Sequence, residues 1–148
     1  MLVERTMVSE SVFLVSTLSL IIELVVLGLL IFAYVLKGRK LFRQHGITMT
    51  TALVLHLITI LSWMVWSFIS FFSANPVSYG YPIVIVTLLH VIFGTIAALV
   101  GIWLVASWHL QVDMQMCFPR KKIMLATLTM WLTAIFLGII LYVSVILS

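Results

Sequence analysis

Charge is nearly missing from this chain. Asp, Glu, Lys and Arg together make up 8% of its 148 residues, against about a quarter in soluble domains. So little charge cannot clothe a globular core in a water-compatible surface. Acid is scarcest, with four Asp and Glu against eight Lys and Arg. A single cysteine, Cys117, excludes an intrachain disulfide framework. No glycine-rich phosphate loop, nucleophile elbow or HExxH helix occurs, and ligand sets adequate for nickel, iron–sulfur or structural zinc are lacking. These absences count against most enzyme classes and favour a non-enzymatic role.

Apolar runs fill the chain instead. Hydrophobic residues make up 64% of it, with a mean hydropathy of +1.32. Four stretches, 11–36, 47–73, 81–108 and 123–146, each exceed the roughly 20 residues that cross a bilayer. Their short connections leave no room for a soluble domain. The expected fold is all-α: residues 1–148 as a single antiparallel four-helix bundle embedded in the lipid bilayer.

The sparse charges set an expected orientation. Lys37, Arg39, Lys40 and Arg43 lie between the first two stretches, and Arg120, Lys121 and Lys122 precede the fourth. The second connection, ANPVSYG, carries no charge, and the N-terminal arm holds Glu4 and Glu10 against Arg5. Positive loops stay inside, which predicts a multi-pass plasma-membrane protein with cytoplasmic basic loops and both termini outside. Without a basic n-region or a small-residue cleavage site, the first stretch reads as an anchor and not a signal peptide. The net charge of +4 is explained by topology and headgroup contact, so nucleic acid is not an expected partner.

Glu23 is the only formally charged side chain within any of the four stretches. A carboxylate there costs roughly 2.5–3.5 kcal/mol on insertion scales unless something neutralises it. Helical spacing gives each stretch one small-or-polar face. Ser16, Ser19, Glu23 and Tyr34 share the first, and Ala52, His56, Thr59, Trp63 and Ser70 the second. Thr87, His90, Gly94, Ala97 and Gly101 share the third, and Thr127, Trp131, Ala134, Gly138 and Tyr142 the fourth. Small residues mark where helix backbones approach, so these faces are expected to meet inside the bundle.

Counting from the basic ends places His56 roughly 15 Å, Glu23 roughly 21 Å and His90 roughly 27 Å deep. Glu23 between two histidines suggests a polar column: a proton path, a metal site, or one axial ligand for haem. Hydrogen bonding that only fixes helix packing is the plainer alternative. The depth offset of about 12 Å argues against one haem ligated by both His56 and His90. His45 and His109 are better matched, both near the basic interface, where they suit either a metal or haem edge or ordinary headgroup anchoring. Met114, Met116 and Cys117 form a weak soft-ligand set for copper beside His109; apolar packing against the bilayer explains them more simply.

The runs His45-Gly-Ile-Thr-Met49, Leu89-His90, and Arg120-Lys-Lys-Ile-Met with Thr127, Trp131, Gly138 and Tyr142 carry a family likeness. Over residues 37–146 the chain resembles a small four-span prokaryotic membrane family of unknown function that includes YozB/CtaM-like factors of haem–copper oxidase maturation. Relatives open the second and fourth spans with a His-Arg pair; here those positions read His45-Gly46 and Pro119-Arg120. The resemblance implies a membrane factor in respiratory or copper oxidase assembly, handling haem or copper, with His45 and His90 at matched positions. The alternative is a non-catalytic accessory subunit packed into a larger membrane protein complex. Proton or small-solute movement along the Glu23 column is a third reading.

Overall fold

A computed structural model describes residues 2–73, 80–109 and 120–147, with side chains for 13–70, 72–73, 80–107 and 120–144. Apolar sequence in lipid must satisfy its own backbone, and helix does so within one segment. Helix α1 runs Leu2–Gly38, and α2 runs Phe42–Thr59. The second span continues through a π-helical turn, Ile60–Met64, into α3, Val65–Ser73. Helices α4, Tyr81–His109, and α5, Lys121–Leu147, complete the chain. Four segments are long and apolar enough to cross a membrane: Phe13–Gly38, Phe42–Ser70, Tyr81–Ser107 and Lys121–Ser144. Helix α2 opens at Phe42 and not at residue 47, because backbone hydrogen bonding continues through the polar residues that hydropathy discounts.

The helices pack antiparallel in chain order. Helix α1 lies along α2 and α4 along α5, while α1 against α5 and α2 against α4 close the ring. Chain neighbours are therefore neighbours in space, as short connections require. Val26 and Leu30 of α1, Ala52 and Leu53 of α2, Ala97 of α4, and Trp131 and Ile135 of α5 form the core. Lipid is as apolar as leucine, so close van der Waals contact holds this core more than water exclusion does. Small residues permit it: Ala33, Ala52, Ala97, Ala98 and Ala134 are all buried. A Cβ on Gly101 would stand 3.1 Å from Leu53 Cδ1, which fixes how closely α4 approaches α2. Leu14, Ile31, Leu99 and Phe136 point outward to lipid.

The second span departs from a regular helix one turn after His56. Ile60 N–H bonds to the carbonyls of His56 and Leu57, and Val65 N–H reaches Ile60 O in a π pattern. The wider turn rotates everything after it relative to α2. A regular period places Ser70 on the His56 face; instead Phe68 is half-buried against the far cavity and Ser70 is exposed. Among the described residues, α3 packs substantially only on the π turn it continues. The far end of the bundle is looser for that reason.

The basic end is tighter. Arg39, Lys40 and Leu41 link α1 to α2 through bonds from Lys40 N–H to Lys37 O and Leu41 N–H to Leu36 O. This is a Schellman cap, whose left-handed residue is usually glycine. Lys40 takes that place at φ 61°. Arg120 lies over the Trp103 ring, 4.9 Å from its centre, and ties the start of α5 to α4. Lys40→Gly is expected to raise stability by about 0.5–1 kcal/mol after glycine's extra unfolded-state entropy is subtracted. Reversible unfolding in mixed detergent micelles checks this, with Lys40→Ala as the control that removes charge but keeps the Cβ.

Candidate functional site

Helix α1 carries Glu23 to the inner face of the bundle, where α2 brings His56 against it. Glu23 is 6% exposed and His56 3%. His56 Nδ1 and Glu23 Oε1 are 2.8 Å apart. With the carboxyl ionised, Nδ1–H donates; with it protonated, the acid O–H donates to Nδ1. Either way, one hydrogen bond meets the need that a lone carboxylate has in hydrocarbon. Glu23 Oε2 and His56 Nε2 remain buried without a hydrogen-bond partner.

Trp131 of α5 covers the pair. It is 1% exposed, and its ring centre lies 4.9 Å from that of His56 at an interplanar angle of 47°. Its indole Nε1 is also buried without a hydrogen-bond partner. The three such side-chain atoms found among the described residues thus belong to Glu23, His56 and Trp131. They sit on two adjoining contacts, Glu23–His56 and His56–Trp131.

Two cavities flank this cluster. The far cavity holds about 410 Å³, is partly open, and is lined by Glu23, His56 and His90 together with Trp63, Met64 and Tyr142. The basic-end cavity holds about 100 Å³ and is lined by Tyr34, Lys37, His45, Thr127 and Trp131. Trp131 thus walls the basic-end cavity while its ring rests on His56, which walls the far one.

His90 is held by α5. Its Nδ1 lies 2.8 Å from Ala134 O, and a carbonyl only accepts, so Nδ1–H donates and the neutral ring keeps its lone pair on Nε2. Gly138 makes room for this ring: a Cβ there would come within 3.0 Å of His90 Cε1. His45 has the same arrangement, with Nδ1–H donating to Ala33 O at 2.8 Å. Across the far cavity, Tyr142 lies 2.9 Å from Thr17 Oγ1. The Thr17 hydroxyl donates to Phe13 O at 2.8 Å, so Tyr142 O–H donates to Thr17.

Of the residues singled out in the sequence, Glu23, His56 and His90 share one cavity, and Glu23 and His56 touch. His45 lies in the other cavity and does not join them. His109 ends α4, and its side chain, with Met114, Met116 and Cys117, lies outside the described residues. Among the described residues, no three His, Cys, Asp or Glu side chains group so as to hold a metal ion. Trp131 stood on its expected face but had no assigned role; a buried aromatic at core spacing gives no sign that it will meet a histidine. The π turn had no sequence signal at all.

No family model, curated protein or solved structure matches the chain.

The Glu23–His56 pair yields a stability prediction. Glu23→Leu strands the imidazole and is expected to cost about 3 kcal/mol, whereas Glu23→Leu with His56→Phe recovers most of that loss. A double-mutant unfolding cycle in micelles measures the coupling.

Proposed function

We propose that this protein is a membrane factor that holds haem through His90 and serves the assembly of a respiratory or copper oxidase. The observation that carries the reading is His90 itself. Its Nδ1 is bound to Ala134 O, leaving Nε2 as the lone-pair nitrogen of a ring that walls a membrane cavity of about 410 Å³. A histidine whose other nitrogen is fixed by a carbonyl has a set tautomer and ring orientation, and His90 Nε2 would be the atom that holds the haem iron.

The donor set fits haem better than a bare copper ion. A tetrapyrrole brings four ring nitrogens and would need only one imidazole from the protein, whereas no group of three metal-binding side chains occurs among the described residues. When bound, haem supplies redox-active iron. The chain supplies the imidazole, a largely apolar enclosure, and Gly138, whose missing side chain seats the His90 ring. One imidazole on a partly open cavity suits a factor that must also release its cargo. Oxidase assembly rests on the resemblance of residues 37–146, in which His90 is a matched position. The basic loops favour placing Lys37 and Arg120 at the cytoplasmic face and the far cavity toward the outside.

The test is a haemin titration of the detergent-purified protein, followed by oxidised and dithionite-reduced spectra. Wild type is expected to show a shifted Soret band and a reduced α-band near one haem per chain. His90→Ala is expected to lose them, and Gly138→Ala to weaken binding about tenfold by displacing the ring. Equal binding by His90→Ala, or none by wild type, overturns the reading. Stoichiometric retention of larger subunits by a protein that binds no haem would favour the accessory-subunit alternative.

A further inference from the structure

We propose that Glu23, His56 and Trp131 form a gated proton-transfer site joining two cavities of the bundle. It rests on groups other than the haem ligand proposed above. Two hollows lie toward opposite ends of the four-helix unit. One is lined by Lys37 and Phe42, where α1 meets α2 at the basic end; the other by Ser16, Ile83 and Tyr142 toward the far end. The rings of Trp131 and His56 stand in contact between them. A bundle built only for packing fills its centre with apolar side chains. Here the centre holds a carboxyl, an imidazole and an indole, each with a polar atom lacking a partner, although burying such atoms costs about 1–3 kcal/mol apiece.

The chemistry of the pair suits proton exchange. Carboxyl and imidazole are 2.8 Å apart, within direct transfer distance, and each has a second atom through which a proton can enter or leave. When the Trp131 ring swings off His56, water from the basic-end cavity reaches the imidazole. A proton taken from hydronium at Nε2 is matched by the Nδ1 proton passing to Glu23 Oε1. Imidazole is again neutral, and the carboxylate is now a carboxylic acid. Glu23 lines the far cavity, and a turn of its side chain presents the acid O–H to water there, which takes the proton. With the His56 ring turned from Glu23, water removes the Nε2 proton and returns one to Nδ1, and the ring swings back in its starting tautomer. One proton has moved, and no electron is exchanged. The reverse sequence carries a proton back.

Among the described residues, the other titratable groups facing the site are His90 and Tyr142 across the far cavity and Tyr34, Lys37 and His45 around the basic-end one. Lys37 sits at the end of α1, where its cation opposes proton entry and keeps the basal rate low. Trp131 is the gate because it is the largest fully buried side chain among the described residues and walls one cavity while covering the residue that walls the other.

The full chain in liposomes, loaded with a pH-sensitive dye and polarised with potassium and valinomycin, tests this. Wild type is expected to carry protons slowly but above protein-free vesicles. Trp131→Ala is expected to raise the rate about tenfold or more, and Glu23→Gln in that background to return it to the protein-free level. Glu23→Gln keeps the side-chain size and a hydrogen-bonding oxygen, and helical circular dichroism with monodisperse elution confirms folding of each variant. Should Trp131→Ala prove unfolded, Trp131→Phe, which leaves a smaller gap, takes its place. Flux from the gate variant equal to protein-free vesicles overturns the proposal. Undiminished flux after Glu23→Gln also overturns it, since the leak then bypasses the pair. Haem binding by His90 is read separately, so either reading can fail alone.

Discussion

A carboxyl group in the middle of a bilayer must find a partner, and the rest of the bundle is arranged around how Glu23 finds one. His56 meets it at 2.8 Å, which aligns α1 with α2 at one depth and one rotation. A turn of either helix by one residue carries its side chain about 100° away and exposes a polar group to hydrocarbon. The contact therefore acts as a register pin. Below it, toward the basic end, small residues and Trp131 let four helices close. Beyond it, the π turn rotates the second span and the bundle loosens.

That division gives the molecule two unequal ends. Toward the basic loops, a Schellman cap, a bond from His45 to Ala33 O and the Arg120–Trp103 contact hold the helix ends together. Toward the far end, α3 continues the second span with little support from its neighbours, and a cavity of about 410 Å³ lies among the four helices. The polar groups are concentrated where the two regimes meet. A ligand bound at His90 and a proton held by Glu23 and His56 would both sit there, facing the same cavity. π turns recur at functional sites because they redirect side chains without breaking a helix, and the one here begins one turn after His56.

Much of the site was legible from residue spacing. Glu23 stood out because no other charge lies within the four apolar stretches. The inward stripe of the fourth span holds in the structure, and that of the first holds through Glu23 but fails at Tyr34, which is exposed. Ser16, Ser19 and Glu23 line the far cavity, and Thr127, Trp131 and Ala134 are buried. The second stripe failed at Ser70, because a regular period cannot foresee an added turn residue. Depth counting put Glu23 and His56 at different levels, yet they touch. The second helix begins at Phe42 and not at residue 47, which places His56 about 21 Å from the basic end, level with Glu23.

The sequence by itself determined that this is a four-span membrane protein, because apolar length and the cost of unpaired backbone in lipid leave a chain of this composition few other forms. It also determined that Glu23 would need a partner, since the desolvation cost of a carboxylate depends on its surroundings and not on the fold. Which group answers it was decided only in three dimensions, by helix order, rotation and approach. The same holds for the placing of His45 and His90 in separate cavities and for Trp131 lying on His56. Hydropathy specifies that a helix is buried in lipid, but it carries no term for which face meets which neighbour.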